Sequence, residues 1–319
     1  MKKFEFTGET KTISLLFRTV TLHRIRAVAE FGLVKVGDLG GWIEKEENLS
    51  HEGKAWVCGD AKVYGDAEVY GDAEVYGDAE VYGDAEVYGD AKVYGNAEVY
   101  GDAKVCGNAK VYGNAKVYGD AEVCGNAEVY GNAKVCGDAK VCGNAKVYGD
   151  AEVCGNAKVY GNAEVYGDAK VYGDANIFSA SHVLVIGAIG SRDDFTTFFR
   201  DSDNEITVKC GCFLGKIDEF LKKVAKTHKD SKYAFVYRAA VEVAKLQIDL
   251  SLEKPLEVGD KVKIISPEEN DPEKNWNTEM SQYLGTIMTI KKVCRGGYYM
   301  EEDNEKWFWN NYRIAGKVE

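Results

Sequence analysis

From Gly53 to Phe178 the chain alternates apolar and polar positions in units of six, Gly-[Asp/Asn]-Ala-[Glu/Lys]-Val-[Tyr/Cys], as in Gly65-Asp66-Ala67-Glu68-Val69-Tyr70. Twenty-one such units follow one another with few departures and no insertion. Ala and Val fall on one side of a two-residue alternation, with Glu or Lys and Tyr or Cys on the other. That is the pattern of a strand with one buried face. Gly followed by Asp or Asn turns the chain, because Gly takes positive φ freely and Asp or Asn tolerate it better than most residues. A four-residue strand buries too little apolar surface by itself, so the units must wind and stack until each strand pairs with the one a full coil later. The pattern predicts a solenoid with an interior of Ala and Val.

Val69 followed four positions later by Ala73 matches the aliphatic-then-small spacing of the hexapeptide-repeat proteins, and the segment resembles that family. The resemblance implies a left-handed parallel β-helix with three sides, so that residues eighteen apart become neighbours. Twenty-one units then make about seven coils, and about 4.8 Å between strands gives a rod roughly 34 Å long. On this register the outward residues sort into columns. Tyr76, Tyr94, Tyr112, Tyr130, Tyr148 and Tyr166 form an unbroken one, offering ring edges and hydroxyls to a partner. Cys106, Cys124 and Cys142 interrupt a second column, and Cys136 with Cys154 interrupt the third. Tandem duplication would also make identical rungs without selection for a surface; the interruption of the Tyr run by Cys on only two sides favours a partner-binding column on the remaining one. At one corner Asp60 and Asp78 give way to Asn96, Asn114 and Asn132 before Asp150 and Asp168. Carboxylates stacked about 4.8 Å apart repel by roughly 1 kcal/mol even at water's dielectric. Asn relieves that repulsion and hydrogen-bonds along the axis.

The flanks read differently. Residues 1–52 hold strand-like runs at Ile13–Phe17 and Arg24–Ala29, and with Trp42 and Trp56 they are expected to cap the first coil, the solenoid itself spanning 53–184. Within 185–250, strands near Phe195–Arg200 and Ile206–Cys212 flank a turn at Asp201–Asn204. Helical spacing of Ile217, Phe220, Leu221 and Val224, then of Tyr233, Tyr237 and Val241, completes a small α+β module. Residues 251–319 are β-rich after Pro255, with Val258–Ile265 and Gly285–Val293 closed by Tyr298, Tyr299 and Trp307-Phe308-Trp309; this segment resembles a small SH3-like barrel. Alternation places Trp307 and Trp309 on one side and Phe308 on the other, leaving open which side is core and which lines a groove. The fold class is mainly β.

His23-Arg-Ile-Arg-Ala-Val28, Gly40-Gly-Trp-Ile-Glu44, the repeat, Gly190-Ser-Arg192 and Cys210-Gly-Cys-Phe213 together resemble bacterial and prophage hexapeptide-repeat proteins, often labelled acetyltransferases or polymer-forming proteins. The resemblance implies a setting of phage and host conflict. It brings no activity, since a label inherited from the repeat describes fold alone.

Residues 53–178 contain eleven Lys against twelve Asp and nine Glu, a net of −10 out of −12 for the whole chain. That field disfavours general nucleic-acid binding and suits a basic partner or a small ligand. With no apolar run of eighteen residues and a polar start at Met1–Thr7, the chain is expected to be soluble and cytoplasmic, without a membrane role. Nine Cys, an odd count without an export signal, are expected to be reduced.

The resemblance implies that an acyltransferase would use a His beside a loop protruding from the coils. No His lies between Gly53 and Phe178, nothing interrupts the hexads, and His182 sits where the repeat ends, so acyl transfer is the less favoured reading. Cys210 and Cys212 share a strand face near His228, but three ligands leave a tetrahedral zinc one short, and buried Cys commonly serves packing. No metal or cofactor is expected. Arg192, Thr196, Thr197, Arg200 and His228 could converge on an anion, or form a solvated edge paired with Asp193 and Asp194. The reading is a non-enzymatic binding scaffold or inhibitor whose Tyr column takes a protein partner or self-associates as a homodimer or homotrimer. The alternative is a protein that binds a nucleotide or other anion through residues 185–250.

Overall fold

A computed structural model describes residues 2–15, 18–250, 256, 258–265, 278–294, 297–310 and 313–318. The chain divides into two compact units, Met1–Leu252 and Glu253–Glu319.

In the first unit the hexads form a three-faced parallel β-solenoid. Strand pairing joins each residue to the one eighteen positions on, as in Val99↔Val117 and Tyr100↔Tyr118. Every Ala and Val of the repeat is buried, and together they fill one continuous core. Full burial of each Val contributes about 1.5–3 kcal/mol, so the interior, and not the two-to-four-residue strands, holds the coils together. Neighbouring coils are tied by backbone bonds such as Glu98 N to the Ala115 carbonyl at 3.0 Å. At each corner a glycine takes positive φ; at Gly101 φ is 73°, and a Cβ there would lie 3.0 Å from the Gly119 nitrogen. Only Gly allows both the turn and the stacking distance.

The solenoid runs to about eight turns, one more than the repeat predicts, because the lead-in joins it. Leu39–Ile43 pairs in parallel with Lys62–Gly65, and Leu49 bridges Val69. The antiparallel strands Phe4–Ser14 and Thr19–Ala27 extend the same sheet, while Phe4, Ile25, Ile43 and Leu49 close the upper end of the core. Of the run expected at Ile13–Phe17, Leu16 and Phe17 lie outside the described residues.

Below the last coil, four antiparallel strands, Val183–Ile189, Asp194–Arg200, Ile206–Cys210 and Phe213–Lys216, lead into helices Ile217–His228 and Lys232–Gln247. The two-residue alternation of the second strand joins two cores: Phe199 enters the solenoid interior, and Phe198 packs with Val208, Phe220, Tyr237 and Val241. Thr197 Oγ1 accepts from the Lys170 backbone at 2.9 Å, and Ala175 bridges Asp201.

The expectation of free thiols fails for one pair. Cys136 and Cys154 are joined by a disulfide, because parallel stacking brings their Cα atoms to 4.6 Å. No described helix is long and apolar enough to cross a membrane.

The second unit is a five-stranded antiparallel sheet containing Lys261–Ile264, Ile287–Cys294, Gly297–Met300, Trp309–Asn310 and Ile314–Lys317. Trp309 is fully buried among Val262, Ile264, Met288 and Ile290, while Trp307 and Phe308 are half-buried. Pro255, placed at this unit's start, lies outside the described residues.

Candidate functional site

The six tyrosines expected to align do so. Ring centroids are 4.8 Å apart for Tyr76–Tyr94 and Tyr94–Tyr112, 4.9 Å for Tyr112–Tyr130 and Tyr130–Tyr148, and 5.5 Å for Tyr148–Tyr166. The rings lie within 17° of parallel, each half covered by its neighbours, and Tyr166 at the end of the stack is 55 % exposed. The hydroxyls are less available than the sequence suggests. Tyr148 donates to Glu164 at 3.1 Å and Tyr112 to Glu128 at 3.5 Å. Burial first, then the carboxylate one rung on, pushes the Tyr112 and Tyr148 hydroxyls up to about 12, so these two phenols stay protonated at neutral pH.

The other two columns also stack, through Tyr64, Tyr82, Tyr100 and Tyr118 on one face and Tyr70 with Tyr88 on the other. They end differently. Tyr64 is buried with Val20 and Leu22 of the N-terminal hairpin, and Tyr172 lies beneath Lys209. Tyr160 and Phe178 are buried, with the Arg200 guanidinium 4.5 Å from the Phe178 ring. The Tyr76 column alone reaches the last coil with an exposed ring.

Charges on the faces pair across rungs, as Lys92 with Glu74 at 3.1 Å, Lys110 with Glu128 at 3.2 Å and Lys140 with Glu122 at 3.0 Å. The corner Asn residues form the expected ladder, Asn96 donating to Asn114 at 3.1 Å, Asn114 to Asn132 at 3.0 Å and Asn132 to Asp150 at 2.9 Å.

The five candidates for an anion site separate. Arg192 and His228 line one cavity of about 160 Å³, with Lys223, Ser191 and Tyr237. The Arg192 guanidinium lies against Gly211, where a Cβ would come within 2.5 Å of Nη1. Thr196 is buried and donates to Cys210 Sγ at 3.3 Å, Thr197 faces the solenoid, and Arg200 donates through Nε to Asn204 at 2.6 Å. Alternation along one strand cannot point adjacent Thr196 and Thr197 at one ligand. Lys223 is the cation that sequence reasoning missed; it stands on the same helix as His228, five residues before it.

A second cluster was also missed. Cys106, Glu122 and Cys124 present ligand atoms within 4.8 Å of one another, the single such set among the described residues. The signal was legible: Cys106 and Cys124 are one coil apart, and Glu122, two residues before Cys124, shares its outward side. A hydrogen bond from Cys124 holds the Cys106 thiol down at about 7, while the bonds of Cys124 to Cys106 and Cys142 push its own value up. No protein-family model matches the sequence, and no match was found among curated proteins.

Proposed function

We propose that this chain is a non-enzymatic binding scaffold whose Tyr76–Tyr166 face holds a basic protein partner. The observation that carries the reading is the uninterrupted stack of six rings ending in an exposed Tyr166, in the one column that reaches the last coil with an open ring. Aromatic rings fixed in a rigid stack lose little conformational entropy on binding, which is why Tyr is enriched at interface centres. The net charge of −10 in the repeat supplies the attraction for a cationic partner and its salt dependence. Catalysis is the weaker reading, since no His lies between Gly53 and Phe178 and no loop interrupts the hexads.

The test compares wild type with Tyr112→Ser/Tyr130→Ser in capture from a cell extract and in sedimentation. The expected result is loss of a basic partner, with the melting temperature of the solenoid largely kept. Unchanged capture and sedimentation profiles in the variant sink the reading, and a wild-type mass of two or more chains that falls to one in the variant reassigns the face to self-association.

A second reading rests on the cavity where Arg192, Lys223 and His228 meet. At about 160 Å³ it is smaller than the about 300–1,000 Å³ typical of sites for drug-sized ligands, so its occupant is a small anion or the charged end of a larger one. Thermal-shift screening with phosphate, sugar phosphates, nucleotides and acyl-CoA tests it; a flat profile across all four removes it.

A further inference from the structure

Between Tyr88 and Tyr160 the second column carries Cys106, Cys124 and Cys142 in place of three rings. Val105 pairs with Val123 and Val123 with Val141, so the thiols that follow stand one above another on the outer face. Glu122 opens the strand Glu122–Val123 that Cys124 follows, and at two residues' separation it points the same way as Cys124. The ligand atoms of Cys106, Cys124 and Glu122 lie within 4.8 Å of one another, and all three residues are half-buried, within reach of solvent.

We propose that Cys106, Cys124 and Glu122 form a zinc site on the outside of the solenoid, two thiolates and one carboxylate holding a single Zn²⁺ with the fourth position left to water. Zinc takes thiolate at about 2.3 Å and carboxylate at about 2.0–2.2 Å, so a tetrahedral ion needs its two sulfurs about 3.8 Å apart and cannot span more than about 4.6 Å. Neighbouring rungs, about 4.8 Å apart, lie just beyond that limit and reach it by a small side-chain movement. Cys106 and Cys142, two rungs apart at roughly 9.6 Å, do not, and one ion therefore takes one adjacent pair. Glu122 selects the pair. Lys140, on the Cys142 side, holds Glu122 Oε2 at 3.0 Å, which leaves the second carboxylate oxygen for an ion and places a cation beside the competing pair. Lys104, beside Cys106, is engaged by Glu86 at 2.7 Å.

Closing the sulfurs to zinc distance is a side-chain movement that this scaffold tolerates. On another face, Cys136 and Cys154 stand in the same one-coil relation and reach covalent contact with Cα atoms 4.6 Å apart. The donor set also chooses the ion. Monovalent copper is satisfied by thiolates alone, whereas a carboxylate beside two thiolates suits the borderline Zn²⁺. Binding displaces the thiol protons and draws on the acidic field of the repeat. It cross-links two coils and leaves the Tyr76 face untouched.

The experiment titrates Co²⁺, a spectroscopic stand-in for zinc, into the full chain kept metal-free and reduced with a phosphine. One equivalent should produce the sulfur-to-cobalt charge-transfer band and the visible bands of a four-coordinate site, and one equivalent of Zn²⁺ should bleach them. Cys106→Ser and Cys124→Ser should each abolish the charge-transfer band of the pair. Cys142→Ser should retain it, as should Cys136→Ser/Cys154→Ser and Cys210→Ser/Cys212→Ser. Glu122→Gln should keep the band but weaken affinity by at least about the tenfold that even outer-shell partners contribute. Absence of the band at one equivalent, its survival in either Cys106→Ser or Cys124→Ser, or its loss in any of the three control variants would overturn the assignment.

Discussion

Lowering the pH from neutral to 4.5 should loosen the lower end of the solenoid, and His182 is the group that carries the effect. The side chain is fully buried at the junction with the α+β module. Its Nδ1 accepts from the Phe178 backbone at 3.3 Å, and its ring stands edge-on to the Phe178 ring at 4.3 Å. Burial first, and then the nearby Arg200 guanidinium, hold its pKa at about 4 against 6.5 for a free imidazole, with Asp249 acting the other way. The unfolded chain therefore takes up a proton near pH 6.5 that the folded chain refuses until about pH 4. Stability is full above pH 6.5, declines as the pH falls through that window, and levels off below it. At about 1.4 kcal/mol per pH unit the window is worth about 3 kcal/mol as a ceiling. Carboxylates held low by lysine partners, such as Glu46 by Lys2, Asp72 by Lys54 and Glu86 by Lys104, lose their contributions at lower pH, below their ordinary values. Proton NMR can follow all four imidazoles of the chain, and urea midpoints of wild type and His182→Gln at the two ends of the window give the energy. A His182 pKa near 6.5, or an equal loss of stability in both proteins, would refute the reasoning.

Two further perturbations probe the coil itself. Val111→Ala removes two methyl groups from a fully buried site and should cost about 2–3 kcal/mol, read from the urea midpoint; a loss under about 0.5 kcal/mol would mean that the interior collapses around the gap. Gly167→Ala meets nothing within 4 Å at φ 62° and should cost only the left-handed penalty of about 1–2 kcal/mol, whereas Gly101→Ala adds a contact of 3.0 Å with the Gly119 backbone and should cost more. Equal losses at the two positions would show that the stacking distance at the corners is not a constraint.

The hexad alone determined the solenoid, its buried Ala and Val, the tyrosine stack and the Asn ladder. In a repeat the neighbour of every residue lies at a constant offset, so a local pattern becomes a long-range contact map. The same offset contained the stacking of Cys106 on Cys124 and of Cys136 on Cys154, though whether two stacked thiols bond covalently depends on side-chain positions that the offset does not set. What the tertiary structure decided lies where the period stops. That Leu39–Ile43 starts a further coil, that Phe199 plugs the solenoid while Phe198 turns to the helices, that Arg192 and His228 share a cavity while Thr196, Thr197 and Arg200 point elsewhere, and which column keeps an open end all follow from aperiodic contacts between distant segments. Such contacts are fixed by how particular side chains fill space where a sheet meets the end of a coil, and no spacing in the chain encodes them.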